Sequence, residues 1–479
     1  MKKLYLFLAV LFVANSVNAQ NCNCETSFLW MKKTFEENDA GFQYILSKKG
    51  KDLYELHNKS YLEKIKNLPS NKACAQLLNQ WVRFFRQGHI GVSFNGTDSS
   101  NITKKNNTEA LEIVKVDIKQ FEKYLSTKKE PGFEGIWFSE PYKIGIKKIG
   151  DKYVGFIIET TADNWKIKEL KTKFDEKGGI YYLKNKDGEN FVNPILEGQN
   201  NLQLGRFSFT RTFPVLQNDP DTELNLKLLK TQKPLLEKIN ANTLVLRIPS
   251  FEISEKKAID SVIKTNKVLI SSTRNLIIDV RNNGGGSDAS FKEILPLLYT
   301  NPVRNVGVEF LSTKLNNQRM LDLANNPDFD EASRKRFKGF YDLLEQSLGK
   351  FVSLNGQLVS ISKQDSVYNY PQKVGILINE GNGSTTEQFL LTAKQSQKVK
   401  LFGITTFGML DISNVNIIKF PCADFELYYG LSKSYRIPGM VVDDIGLQPD
   451  YYIDNTVKSN EWIKFTESVL TNKETSYME

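Results

Sequence analysis

Two continuous apolar runs decide most of what this chain can fold into. TLVLRI (243–248) and NLIIDV (275–280) carry apolar side chains without alternation, so each must be covered on both faces. Between them Ala258, Ile259, Val262 and Ile263 recur at helical spacing behind Ser254, a residue suited to capping. Strand, helix and strand in this order predict parallel pairing in a sheet layered by helices. Further strands are expected at 373–379 and 399–405, a helix over 385–396, and a charge-rich helical excursion over 315–350.

The chain has 479 residues, more than one ordinary domain needs and suited to two or three. Residues 25–90 are predicted helical: Phe28, Leu29, Met31 and Phe35, then Leu77, Leu78, Trp81, Val82 and Phe85, form stripes most of which read as core. The pattern ends in RQGHIGVSF, where Gly88 stops the helix and His89 begins an extended piece. A polar stretch, 99–110, reads as a linker. From 131 to 215, runs such as YKIGIKKI and KYVGFIIETT separated by turn residues predict a small antiparallel β-domain. The expected division is a signal peptide at 1–19, a helical region at 20–98, a β-rich domain at 110–220 and an α/β domain at 222–479.

The first residues, MKKLYLFLAVLFVANSVNA, have the charged start, short apolar core and small-residue end of a secretory signal. Cleavage is expected after Ala19, giving an exported chain, periplasmic or extracellular, with no later membrane span. Export permits disulfides, and a bond from Cys22 or Cys24 to Cys74 would pin the mature N-terminus to the first helices. Spacing does not choose between them. The formal charge of +9 comes from lysines scattered among acids, a solvated basic surface and not a nucleic-acid stripe. The two histidines, His57 and His89, lie in no metal-spaced cluster, so neither metal nor cofactor is implied.

Chemistry is concentrated in two segments. RNNGGGSD (281–288) follows a strand directly, and its bare backbone N–H groups fit either a flexible turn or a cradle for an oxyanion. GNGSTTE (381–387) places Ser384 between a strand and a helix, the geometry that exposes a nucleophile. Ser384 with Glu387 three residues later also fits a capping box, the simpler reading of that segment alone.

Together the segments resemble the tail-specific, or C-terminal-processing, serine proteases, peptidase family 41 of serine type. The strand end matches at Asp279-Val280-Arg281-Asn282-Asn283-Gly284-Gly285-Gly286, the serine motif at Ser384-Thr385-Thr386-Glu387, and the terminal Gly-x-x-Pro-Asp element at Gly446 to Asp450. The resemblance covers about 222–455. It implies an α/β core of crotonase/ClpP-like type, preceded here by the helical and β-rich regions, and a polypeptide substrate. It also implies Ser384 as nucleophile, with an oxyanion hole from the Thr385 N–H and one of Gly284, Gly285 or Gly286. Relatives that use a Ser–Lys pair carry the lysine 25 positions after the serine, where this chain has Met409. Methionine accepts no proton, so the chain is more similar to the tricorn-like Ser–His branch. His89, in GHIGV, then stands as the base, with Asp443, or its neighbour Asp444, as the acidic support. A catalytically inactive binding protein on the same scaffold, and another acyl-group enzyme with the same oxyanion geometry, are the alternative expectations.

Overall fold

The computed structural model describes residues 23–472 apart from 67, 69, 97–110, 422–423 and 455. The signal peptide, Cys22, Cys422 and the expected linker lie outside the described residues. The chain forms two compact units that alternate along the sequence, the first from residues 1–100, 306–358 and 411–441, the second from the remainder.

The first unit begins with the predicted helices, Cys24–Asn38, Phe42–Lys49, Lys51–Ile65 and Asn71–Val82. Their apolar stripes close on one aromatic core in which Phe28 and Phe35 meet Trp81 edge-on. Cys24 bonds Cys74, which selects between the two candidate partners. The strand Phe425–Ser434 pairs antiparallel with Gly91–Phe94, Val308–Leu311 and Ile412–Lys419. It buries Phe425, Leu427, Tyr429 and Leu431 in the same core as the helices. The stretch expected as one domain, 222–479, is therefore shared between the units, because this hairpin has its apolar partners among residues 28–90. The charged excursion forms the helices Lys314–Asn325 and Glu331–Glu345, also in this unit.

The second unit holds two large sheets. The β-rich region is a nine-stranded antiparallel sheet that includes Gly135–Ser139, Tyr142–Ile149, Lys152–Thr160 and Phe207–Phe213. The other sheet runs in spatial order Leu235–Lys238, Thr243–Arg247, Asn275–Asp279, Lys373–Ile378, Val399–Gly403, Tyr451–Tyr452. All its pairs are parallel except that of the first edge strand. Successive side chains point to opposite faces. Leu244, Leu246, Leu276, Ile278 and Ile376 pack against Ile259, Ile263, Phe389 and Leu390 from the helices Lys256–Thr265 and Thr385–Ala393. Val245, Ile277 and Leu377 pack against Leu228, Ile463 and Leu470 from Pro220–Lys230 and Trp462–Thr471. Two-sided coverage is the physical reason for the unbroken apolar runs. Among the described residues no helix is long and apolar enough to cross a membrane.

Candidate active site

Three neighbouring parallel strands, Asn275–Asp279, Lys373–Ile378 and Val399–Gly403, end at one edge of the sheet. The loops that leave them are the glycine run, the serine turn and residues 404–410. Parallel strands thus collect three sequence-distant segments at their carboxyl ends, where open α/β sheets place their sites. Asp279 anchors the glycine run from below. It is fully buried, bonded by Arg281 Nη2 at 2.8 Å and approached by Arg247 Nη1 at 3.4 Å. Burial alone would raise its carboxyl, but the two guanidinium charges and their hydrogen bonds hold it below the ordinary carboxylate range.

The glycine run is tied to the serine helix by side chains. Asn283, fully buried, accepts from the Gly285 N–H at 3.0 Å and from the Thr386 hydroxyl at 2.9 Å, and its amide donates to the Ile248 carbonyl at 3.2 Å. The Thr385 hydroxyl donates to the Gly286 carbonyl at 2.9 Å. The Gly285 N–H is thus already donated, whereas those of Gly284, Gly286 and Thr385 make no hydrogen bond among the described residues. Gly285 contributes by having no side chain: a Cβ there would lie 2.9 Å from Ser384 Cβ and from Thr385 N.

Ser384 is half-buried and holds φ +54°, ψ −122°, a conformation costly for a residue with a Cβ. Its N–H donates to the Met409 carbonyl at 3.0 Å and to Glu387 Oε2 at 3.2 Å. Glu387, with no exposure, also accepts from the Thr406 hydroxyl at 2.5 Å, the Gly408 N–H at 2.8 Å and the Met409 N–H at 2.9 Å. Burial pushes its carboxyl up, and the charge of Asp443 acts in the same sense against those bonds. Glu387 is more than half of a capping box: it staples the strained serine to the 406–409 segment. Met409 packs on the same turn, since a Cβ on Gly383 would meet Met409 Cε at 2.4 Å. Asp443 Oδ1 accepts the Leu410 N–H at 2.5 Å, and the Asp444 N–H donates to the Gly408 carbonyl at 2.9 Å, so both bear on the loop that holds Ser384.

Ser384, Thr385, the three glycines and Asp443 belong to the second unit; His89 belongs to the first. His89 sits at φ +53° with Nδ1 2.7 Å from the Ile412 carbonyl oxygen. A carbonyl only accepts, so Nδ1 carries the proton and Nε2 presents its lone pair, the tautomer of a general base. Burial lowers the His89 pKa, the Arg86 charge lowers it further, and the bond to Ile412 opposes both. Arg86, itself paired with buried Asp39 at 2.6 and 2.9 Å, donates to the carbonyls of Gly88 at 3.1 Å and His89 at 3.2 Å. The other histidine, His57, stacks on Phe84 and bonds the Trp81 carbonyl inside the helical core.

Sequence reasoning gave no role to Asn283, Asn382, Thr386, Thr406 or Arg86. Asn382, fully buried, donates to the carbonyls of Val280 and Asn283 and accepts the Asn379 N–H. The available signal was polar residues packed tightly against apolar strands, where each must find partners.

A family model described as Peptidase family S41 matches residues 242–453. Among solved structures, that of mature CPAF complexed with lactacystin is 16% identical with a TM-score of 0.51, covering 94% of this chain and 97% of that one. A structure of mature CPAF alone is 15% identical with a TM-score of 0.51, covering 95% and 98%. The tricorn protease is 12% identical with a TM-score of 0.42, covering 95% of this chain and 37% of that one. No curated protein matches the chain.

Proposed function

We propose, from the match of residues 242–453 to a family model described as Peptidase family S41, that the chain is a serine-type peptidase in which Ser384 is the nucleophile and His89 its general base. The observation that carries this reading is the strained backbone of Ser384, held by Met409 and Glu387 between a buried strand and a helix N-terminus. Such strain persists only where surrounding structure over-determines it, and a strained turn between strand and helix is where a nucleophilic serine is presented.

Ser384 Oγ attacks the carbonyl carbon of a polypeptide while its proton passes to His89 Nε2. The tetrahedral oxyanion is held by the Thr385 N–H and by that of Gly284 or Gly286, donors with no competing partner among the described residues. Protonated Nε2 then gives its proton to the leaving amine, and water hydrolyses the acyl-enzyme by the same steps in reverse. The carbonyl of Ile412 fixes the imidazole, and Asp443 supports the site by holding the Leu410 N–H. The segments that bind the two partners, Met409 and Ile412, are three positions apart in the chain. The lysine of the other branch is absent, and Met409 closes on the serine turn in its place. The core is read as crotonase-like, and the chain as exported after cleavage behind Ala19.

The test is cleavage of an unfolded protein by purified residues 20–479 beside Ser384→Ala and His89→Ala. Both variants should lose at least about a hundredfold in rate, the range general-base loss reaches. Wild-type rates in His89→Ala would move the base elsewhere, and an inert wild type over several unfolded substrates would favour a binding role.

A further inference from the structure

Within the first unit His89 is held at its ring and at its backbone. The ring is fixed by the Ile412 carbonyl, 2.7 Å from Nδ1. The backbone, at φ +53°, lies in a region few residues with a Cβ occupy unless surrounding structure enforces it. One buried ion pair supplies that enforcement. Arg86 Nε donates to the Gly88 carbonyl at 3.1 Å and Nη2 to the His89 carbonyl at 3.2 Å, so one guanidinium takes the carbonyls on both sides of the His89 α-carbon.

Arg86 is oriented in turn by Asp39, whose two oxygens accept from Nη1 at 2.9 Å and Nη2 at 2.6 Å. Asp39 closes the helix Cys24–Asn38 and also accepts the N–H groups of Gly41 at 2.9 Å and Gly430 at 3.1 Å. The carboxylate is thus fixed by the end of one helix, the start of the next and the strand Phe425–Ser434. The two glycines bring both anchors of His89 together. A Cβ on Gly430 would lie 2.6 Å from Ile412 Cγ2 and 3.4 Å from Arg86 Nη2, and one on Gly41 would lie 2.9 Å from Ile412 Cγ1 and 3.0 Å from Arg86 Nη1. The residue that holds the ring and the residue that holds the backbone therefore pack as one body.

Both members of the ion pair are buried. A buried ion pair is weak evidence for stability, since apolar side chains of the same volume often serve as well. Apolar side chains, however, offer the carbonyls of residues 88 and 89 no donor. Resting on the assignment of His89 as general base, we propose that Arg86, oriented by Asp39, is a positioning residue for that base. It fixes the His89 backbone so that the imidazole keeps one orientation and one tautomer.

Arg86→Lys tests this. Lysine keeps the charge opposite Asp39, but one ammonium replaces the planar fork and cannot serve both carboxylate oxygens and both carbonyls. In purified, untagged residues 20–479 hydrolysing an unfolded protein, kcat should fall about ten- to a hundredfold while KM stays within about threefold and unfolding stays cooperative. In the His89→Ala background the same substitution should cost less than about twofold, because residues that act as a unit are not additive. A second readout does not depend on activity. The chain has two histidines, so ¹⁵N-histidine NMR reads His89 directly. It should show the proton on Nδ1 in wild type and mixed tautomers in Arg86→Lys. Wild-type kcat in Arg86→Lys, an equal loss in both backgrounds, or an unchanged imidazole spectrum overturns the proposal while leaving His89 as base. A wild-type rate in His89→Ala removes the base and the proposal with it. Where Arg86→Lys does not unfold cooperatively, Asp39→Asn, of the same shape, should give the same kcat and spectral changes. If neither variant folds, the pair is a requirement of folding and the proposal is overturned.

Discussion

His89 and Gly285 show how single residues here act through what they withhold. His89 is half-buried with its Nδ1 proton committed to Ile412, and desolvation with the nearby Arg86 charge disfavours the imidazolium. Its folded pKa therefore lies below the ordinary 6.5. If it is the base, kcat/KM rises with pH along an acid limb whose midpoint is below that value, because the limb reports the free enzyme. The same shift makes the unfolded chain the better proton acceptor, so stability contributed by His89 falls as pH drops from 6.5 towards the folded value. A limb centred above 6.5 in a pH-rate profile would remove His89 from the role. Gly285 is read by steric exclusion. Gly285→Ala puts a methyl 2.9 Å from Ser384 Cβ and Thr385 N at φ +112°. With Ser384 as the proposed nucleophile, displacing it by a fraction of an ångström should cost on the order of a hundredfold in kcat/KM. Gly284→Ala, where the added carbon meets nothing within 4 Å, should stay within a few-fold.

Elements explain which parts of this fold were legible. The strands Thr243–Arg247, Asn275–Asp279, Lys373–Ile378 and Val399–Gly403 stand where unbroken apolar runs predict them, because burial on two faces removes polar residues from both parities. The short strands Gly188–Val192 and Ile195–Glu197 escaped notice, since partly exposed edge strands need no apolar pattern. The serine turn could be located from its glycines and serine, but its clamps could not, because a buried asparagine is recognised only by partners distant in sequence. Asn283 is the clearest case: it joins a strand end, a glycine loop and a helix start. Asn283→Ala strands the Gly285 N–H, the Thr386 hydroxyl and the Ile248 carbonyl, each fully or largely buried. Unsatisfied groups cost about 1–3 kcal/mol each before relaxation, so a loss of about 3 kcal/mol is expected in denaturant unfolding. A change under about 1 kcal/mol would show that water replaces the side chain.

At the scale of the whole molecule, linear order and packing disagree, and the disagreement can be measured. The family match covers 242–453, so the stretch 222–479 invites excision as a self-sufficient catalytic domain. Yet the hairpin Ile412–Lys419 and Phe425–Ser434 lies within that stretch while its apolar face is completed by Phe28, Phe35, Trp81 and Phe85. Excision would bare Phe425, Leu427, Tyr429 and Leu431. At about 1.5–3 kcal/mol per large side chain returned to water, the loss is on the order of 10 kcal/mol. A domain's entire stability is of that size, about 5–15 kcal/mol. Residues 222–479 alone should therefore give no cooperative thermal transition and should bind a hydrophobic dye. Co-expression with residues 20–98 should restore a soluble complex, because the helices carry the missing face. A monomeric fragment with a sharp melt would show that the hairpin finds its cover within 222–479, and that the N-terminal helices are an addition to the catalytic core and no part of its foundation.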